Sequence, residues 1–500
     1  MFVNVQISTR MSCAGLVAVL MSTAAATAQD MKISWDKVER VAKTTATLQV
    51  VVNPPLRRGT AIHDRVFTEL QNFGGDYVRY VPWLPYPKLG VAELEAPADG
   101  KTSWDFSLID PLTVDFLTAT KGHSVVLNFS TIPAWMFKTP KPIVYPSDPD
   151  QVTWDYTQGT ELRDPTGKEV ADYYARLVSW YANGGFTDEY GKRHDSGYHF
   201  QIPYWEVLNE PDFEHNTTAE QYTARYDTIV AAIHKVSPST KFVGISLAIP
   251  SDHPETFEYF LNHKNHKPGI PLDMISYHFY AVPAPDQSLD VQQYTFFTQA
   301  DGFLNTVRYI EAIRNRLSPE TGTTVNEIGC ISADDLGQVT PGHVTKDIVN
   351  SYWNLCGAVY AYVFGHLASM GIDAAGESQL VGYPTQFPSV SMVDWNTGAP
   401  NTRFRVLQLL KSNFSPGDKI VSSTGGSPYV YALAFVSQNG EHKLLLVNMR
   451  DRDFDVALPQ QVKQIQFVDQ ITAAGPPKTE LVGKNTVQLR GLEVAVLTLE

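Results

Sequence analysis

The chain has 500 residues, of which 43% are hydrophobic and 18% are charged, a composition typical of folded globular proteins and not of disordered chains. Its three cysteines are too few for a disulfide scaffold or an array of zinc sites. The formal net charge of -14 would repel nucleic-acid phosphates and anionic membranes, so we expect neither as a main partner.

The first 28 residues follow the three-part pattern of a secretory signal peptide. Arg10 precedes an apolar stretch from Ala14 to Ala26, and the small residues Ala26-Thr27-Ala28 come before Gln29. We therefore expect a secreted or periplasmic protein whose mature chain begins at Gln29. A first structural helix is the alternative interpretation. No later stretch of the sequence reaches the length of a membrane span.

Loss of the signal peptide would leave two cysteines, Cys330 and Cys356. In an oxidising compartment they could form a disulfide, or they could stay as two buried thiols.

From residue 47 onward, short β-branched runs alternate with longer segments of helical periodicity. The runs predict eight strands, at residues 48–53, 76–81, 124–129, 204–209, 241–246, 273–279, 323–327 and 372–377. Eight successive strand-helix units predict an α/β fold, a (β/α)8 TIM barrel over residues 47–415. A doubly wound open sheet is the alternative. The helix after the fourth strand is predicted to begin at a capping box of Thr217 and Glu220.

After residue 415 the pattern changes to strands alone. Residues 429–436 and 443–447 flank Asn439-Gly440, a dipeptide typical of hairpin turns, and further strands follow. We expect a small β-sandwich over residues 416–500, on which the N-terminal segment 29–46 could pack.

Two glutamates stand at the ends of predicted barrel strands. Asn209-Glu210-Pro211 closes the fourth strand, and Glu327 ends the seventh within Asn326-Glu327-Ile328-Gly329. A parallel barrel brings these ends to one mouth. Glycoside hydrolysis needs two such carboxylates, one to protonate the leaving oxygen and one to stabilise or trap the oxocarbenium-like centre. Either glutamate alone could instead be a surface or salt-bridged residue.

With these motifs the chain resembles the retaining glycoside hydrolases of the large barrel clan, whose acid/base follows strand 4 and whose nucleophile follows strand 7. It is most similar to glycoside hydrolase family 39, which holds β-xylosidases, α-L-iduronidases and bacterial exopolysaccharide hydrolases. The resemblance covers residues 47–500, since that family also appends a β-sandwich. It implies Glu210 as acid/base, Glu327 as nucleophile and Asn209 as a donor to the sugar 2-hydroxyl. The implied reaction is double displacement at the O-glycosidic bonds of an oligo- or polysaccharide.

Five further residues are candidates for substrate binding. Arg79 ends the second strand, where similar enzymes place an arginine near the nucleophile and where a guanidinium would keep that carboxylate ionised. Alternation along strand 6 puts His278 and Tyr280 on one face; the resemblance favours His278 in the site, and a core histidine is the alternative. Trp135 follows strand 3 and could stack on a sugar. Glu377 ends strand 8, where many clan members have a tryptophan; it could bind sugar hydroxyls or pair with a nearby cation.

No metal or nucleotide motif competes with this interpretation, so we expect a carbohydrate substrate and no cofactor. The alternatives are a catalytically silent carbohydrate-binding barrel and an inverting glycosidase, whose carboxylates would lie farther apart. We also expect loss of Arg79 to reduce catalysis more than stability.

Overall fold

The computed structural model describes residues 29–154, 159–337, 343, 345 and 347–500; the predicted signal peptide lies outside them. In chain order these residues form β1 (Gln29–Val41), β2 (Thr45–Val51), α1 (His63–Phe73), β3 (Val78–Val81), α2 (Ile109–Ala119), β4 (Val125–Leu127), α3 (Lys168–Ala182), β5 (Gly185–Thr187), β6 (Arg193–Asp195), β7 (Tyr204–Glu206), α4 (Pro211–Glu214), α5 (Ala219–Val236), β8 (Lys241–Leu247), α6 (Pro254–Phe260), β9 (Met274–Ala281), α7 (Leu289–Leu317), β10 (Gly322–Cys330), α8 (Asn350–Met370), β11 (Ala374–Glu377), α9 (Thr402–Asn413), β12 (Lys419–Gly426), β13 (Val430–Val436), β14 (His442–Asn448), β15 (Phe454–Val468), β16 (Lys478–Leu489) and β17 (Val494–Leu499).

Eight parallel strands close into a barrel in the order β2-β3-β4-β7-β8-β9-β10-β11, and β11 pairs with β2. This confirms the predicted (β/α)8 barrel against the open sheet. Each predicted strand is present, because strands buried on both faces appear in the sequence as continuous apolar runs. β4 and β7 are shorter than predicted, since the runs continue past the last paired residue into the turns that carry Asn128 and Asn209.

Helix α5 begins one residue later than the predicted capping box. Thr218 Oγ1 accepts from the Gln221 backbone N–H at 3.3 Å, and the Gln221 side chain accepts from the Thr218 N–H at 3.1 Å. Thr217 instead donates its backbone N–H to Pro211. Both pairs have the three-residue spacing of a capping box, so the sequence pattern did not distinguish them.

The remaining large sheet is antiparallel, with the strand order β1-β12-β13-β14-β17-β15-β16. Asn439 and Gly440 lie in the turn between β13 and β14, and Gly440 has a φ of 86°. The sheet curls so that β1 also contacts β15; the Trp35 indole donates to Gln460 at 2.6 Å. Its outer face packs on α8 and α9, for example where Phe414 meets Phe435. None of the helices among the described residues is long and apolar enough to cross a membrane.

Candidate active site

Glu210 and Glu327 lie close together at the carboxyl ends of the barrel strands. Glu210 lies in the turn after β7, immediately before α4, in the left-handed conformation with a φ of 40°, and its backbone N–H donates to the Ser246 carbonyl. This conformation is unusual for a non-glycine residue and turns the chain sharply from strand to helix. Glu327 lies within β10 beside His278 of β9. One oxygen of each carboxylate and one ring nitrogen of His278 lie within 4.8 Å of one another.

The two glutamates face a cavity of about 760 Å³ at the mouth of the barrel. This volume is in the range of small-molecule sites, roughly 300–1,000 Å³. The polar lining residues nearest the two glutamates come from five of the eight barrel strands or the turns that follow them: Gln49, Asn209, Glu210, His278, Tyr280, Glu327 and Gln379.

Three neighbours hold Glu327 in its ionised form. Arg79 Nη1 donates to Glu327 Oε1, and the Tyr280 hydroxyl donates to Oε2 at 2.6 Å. Burial alone would raise the pKa of Glu327, but the charges of His278 and Arg79 and these hydrogen bonds outweigh it and lower the pKa. A carboxylate that stays ionised in a buried site is suited to nucleophilic attack.

The pKa of Glu210 is shifted in the opposite direction, above its ordinary value. Burial raises its pKa, and the negative charge of Glu327 adds to that effect, against the opposing contact with His278. His278 Nδ1 lies 2.8 Å from Glu210 Oε1. A carboxyl group that stays protonated at pH values above its ordinary pKa is suited to act as a general acid near neutral pH.

His278 connects the two carboxylates. Besides its contact with Glu210, its Nε2 lies 3.1 Å from Ser246 Oγ and 3.5 Å from Glu327 Oε1. Burial would lower the pKa of this imidazole, but the charges of Glu327 and Glu210 outweigh burial and raise it. The structure therefore brings His278 into the site, and not into the apolar layer between strands and helices.

Arg79 is fully buried, with 1% of its surface exposed. In addition to Glu327, its guanidinium donates to Glu206, to Gln49, and to Asn209 Oδ1 at 2.7 Å. Glu206 is 0% exposed and also accepts from Asn128 at 2.6 Å and from Asn326 at 2.7 Å. Sequence reasoning missed Glu206. The only feature of the sequence that could have identified it is its position as the last residue of β7, four residues before Glu210.

Asn209 is held between Arg79 and a second missed residue, Glu214. Asn209 Nδ2 donates to Glu214 Oε1 at 2.9 Å, and the Trp83 indole donates to the same oxygen at 2.6 Å. Burial raises the pKa of Glu214 well above its ordinary value. Glu214 ends the short helix α4. The expectation that site residues lie at the ends of barrel strands therefore did not identify it.

Two predicted substrate-binding residues lie away from the cavity. Glu377 is 0% exposed and accepts from Arg403 Nε at 2.9 Å, so the cation-pairing alternative describes it, with a pKa raised to about 7 by burial. Trp135 is half-buried; its indole donates to the Glu93 carbonyl at 2.9 Å, and Arg163 lies over its ring at 4.3 Å. The prediction from its position at a strand end was wrong for Glu377, because its side chain points to helix α9 and not to the barrel mouth.

The described residues contain one cluster of His, Cys, Asp or Glu with the spacing of metal ligands, and it is Glu210, His278 and Glu327. Arg79 already occupies Glu327 Oε1 and places a fixed positive charge beside the cluster. The donor set therefore suits proton transfer better than cation binding. Cys330 and Cys356 are both buried and not bonded to each other.

Comparison with known proteins agrees with this geometry. Residues 65–316 match the model of the glycosyl hydrolases family 39. No curated protein matches the chain significantly.

Solved structures share the fold at low sequence identity. The GH51 arabinofuranosidase from Xanthomonas axonopodis pv. citri is 12% identical with a TM-score of 0.64, and the match covers 94% of this chain and 100% of that one. AbfB, the family 51 α-L-arabinofuranosidase from Bifidobacterium longum, is 14% identical with a TM-score of 0.62, and the match covers 95% of this chain and 100% of that one. A GH30 endoxylanase from Clostridium papyrosolvens is 14% identical with a TM-score of 0.57, and the match covers 94% of this chain and 100% of that one. These structures support the barrel architecture, and the family match, which spans half of the chain, establishes that it belongs to glycosyl hydrolase family 39 and is a glycoside hydrolase.

Proposed function

We propose that this glycoside hydrolase retains the anomeric configuration of its substrate, with Glu327 as nucleophile and Glu210 as acid/base. The observation that carries the proposal is the approach of the two carboxylates, which have oxygens within 4.8 Å of each other and of one His278 nitrogen. Retaining enzymes hold their carboxyl groups about 5–5.5 Å apart, whereas inverting enzymes need about 6.5–9.5 Å to admit a water molecule.

In the first step Glu327 attacks the anomeric carbon while the bond to the leaving oxygen breaks. The Glu210 proton moves to that oxygen, so an alcohol leaves and a glycosyl ester on Glu327 remains. In the second step the Glu210 carboxylate takes a proton from water, whose oxygen attacks the anomeric carbon and releases Glu327. Glu210 ends the cycle protonated.

The surrounding residues support these two roles. Arg79 and Tyr280 stabilise the ionised Glu327, and His278 orients Glu210 through its Nδ1. Asn209 uses one amide hydrogen on Glu214 and has a second for a sugar hydroxyl, the role that the family resemblance implies. These contacts favour an enzyme over a silent binding protein.

The N-terminal pattern supports a secreted or periplasmic location. Expression of the full-length gene in a host with the general secretory pathway should give a mature protein that begins at Gln29. A cytoplasmic product that still begins at Met1 would contradict this location.

A panel of aryl glycosides tests the catalytic assignment. Glu327→Gln should abolish turnover of every substrate, whereas Glu210→Gln should keep part of the first step with good leaving groups, because an activated phenol needs little protonation. Azide should partly rescue Glu210→Ala and give a glycosyl azide. Glu161, an exposed glutamate paired with Lys138, provides the control variant Glu161→Gln, which should behave as wild type.

Equal effects of leaving group and azide on the two active-site variants would show that the roles are wrongly assigned. A shift in melting temperature with sugar but no product from wild type would favour the silent binding protein.

A further inference from the structure

The catalytic cavity has two chemically different parts. The polar residues around Glu210 and Glu327 form its floor. A second part extends past the ends of β8 and β9 toward helix α7, and we call it the apolar arm. Its main lining residues are Ile249, Phe279, Val282, Gly302, Phe303 and Ile331.

Each polar side chain of the arm, as far as the described residues show, uses a donor hydrogen in a local contact. The Gln299 amide forms two 2.8 Å hydrogen bonds with the backbone of Val282, one as donor and one as acceptor. The Thr306 hydroxyl donates to the Gly302 carbonyl, and the Ser251 hydroxyl donates to Asp252. A sugar bound here would lose water from its hydroxyl groups and gain few hydrogen bonds in return.

The two aromatic rings among the main lining residues of the arm pack on each other. Phe279 and Phe303 stack on each other with centroids 4.6 Å apart, and each ring is largely buried. Both residues line the cavity. Ile249, in contrast, is 48% exposed at the rim, where an apolar ligand would cover it and gain hydrophobic stabilisation.

The arm lies on the side of the cavity where the leaving group must depart. Glu210, which protonates the leaving oxygen in the proposed mechanism, follows β7, and Ile249 follows the neighbouring strand β8. Arg79, which contacts Glu327, is on β3, across the barrel from β9, and Ile331 at the far end of the arm follows β10. A group bonded to the scissile oxygen can therefore extend into the arm.

We propose that the apolar arm binds a hydrophobic leaving group, so that the substrate is a glycoside of an alkyl alcohol and not a chain of sugars. This inference rests on the proposed roles of Glu210 and Glu327. It replaces the oligo- or polysaccharide expected from the sequence with a single sugar over the polar floor and an alkyl chain in the arm.

Gly302 provides a selective way to fill the arm. It lies within α7, lines the cavity, and has no atom within 4 Å of the position that a Cβ would take. Leucine is a better helix former than glycine, so Gly302→Leu should fold while placing a side chain in the arm. Asn305 lies on the same helix, is exposed, and does not line the cavity, so Asn305→Leu is the matched control.

The experiment compares methyl and octyl glycosides of the sugar that the aryl panel identifies, together with a disaccharide of that sugar. Methanol and octanol are primary alcohols of similar leaving ability, so the ratio of their kcat/KM values reports binding of the chain. All octyl substrates are used below their micelle concentration. We expect wild type to favour the octyl glycoside over the methyl glycoside by about tenfold or more, and also over the disaccharide.

Gly302→Leu should lower the octyl-to-methyl ratio by about tenfold, and Asn305→Leu should keep the wild-type ratio. A second measurement needs no variant: the octyl thioglycoside should inhibit wild type at a concentration about tenfold lower than the methyl thioglycoside.

Three results would overturn the proposal. They are preference for the disaccharide, equal inhibition by the two thioglycosides, or an octyl preference that Gly302→Leu leaves intact in a folded protein. Hydrolysis of aryl glycosides together with any of these results would leave the proposed function standing. Absence of all glycoside hydrolysis would overturn both.

Discussion

Replacement of Arg79 by methionine should destabilise the protein strongly as well as inactivate it. The variant removes a guanidinium with 1% exposure and leaves two buried carboxylates, Glu206 and Glu327, without their cation. Removal of one partner from a buried ion pair costs about 3–5 kcal/mol, because the remaining charge stays buried and uncompensated. Methionine keeps most of the side-chain volume, so the loss should come mainly from the charge.

Urea unfolding followed by tryptophan fluorescence measures this change. The matched control is Lys168→Met, since Lys168 forms an ion pair with Asp172 while its side chain is 74% exposed; its loss should cost only about 0.3–0.5 kcal/mol. Adding Glu206→Gln to Arg79→Met should recover part of the lost stability, because it removes one of the orphaned charges.

The stability difference between wild type and Arg79→Met should depend on pH. Contacts with Arg79 help to hold the folded-state pKa of Glu327 below its ordinary value, so their stabilisation is present at neutral pH and is lost as the carboxylate is protonated. The stability gap between wild type and Arg79→Met should therefore narrow as the pH falls toward 4. A loss below about 1 kcal/mol at pH 7, or a gap that widens in acid, would refute this reasoning.

Three further predictions concern single groups. Tyr280→Phe removes a 2.6 Å hydrogen bond to Glu327, so the acidic limb of the kcat/KM profile should move to higher pH; an unmoved limb would remove Tyr280 from the site. Burial raises the pKa of Glu93 to about 8, so wild type should lose stability relative to Glu93→Gln between about pH 4.5 and 8, because only the unfolded carboxyl is ionised there. If urea unfolding gave the same stability difference between the two proteins at every pH in this range, that prediction would be contradicted. Cys330 and Cys356 are buried thiols, so a thiol reagent should label them only in urea; labelling of the native protein would contradict the burial.

The sequence predicted those parts of the fold that depend on repeated local patterns. All eight barrel strands and the Asn439-Gly440 hairpin were found, because buried parallel strands and tight turns leave signals within a few residues. Glu210 and Glu327 were found because chemistry in a barrel collects at strand ends.

The remaining site residues depend on side-chain direction and on contacts distant in sequence. Glu206 lies inside the barrel, 127 residues from Arg79, and no local pattern links the two. The contact with Glu206 changes the expected effect of losing Arg79. From the sequence alone, we expected this loss to reduce catalysis more than stability. Glu377 ends a strand as predicted but pairs with Arg403 in the helical layer, a choice that only the packing of α9 determines.

The stereochemistry of the first product tests the central claim most directly. Proton NMR can follow an aryl glycoside during the first minutes of hydrolysis, before the free sugar mutarotates. If Glu327 attacks the sugar and Glu210 then activates water, two inversions occur, and the first-formed sugar should have the anomeric configuration of the substrate. Initial formation of the opposite anomer would contradict the account.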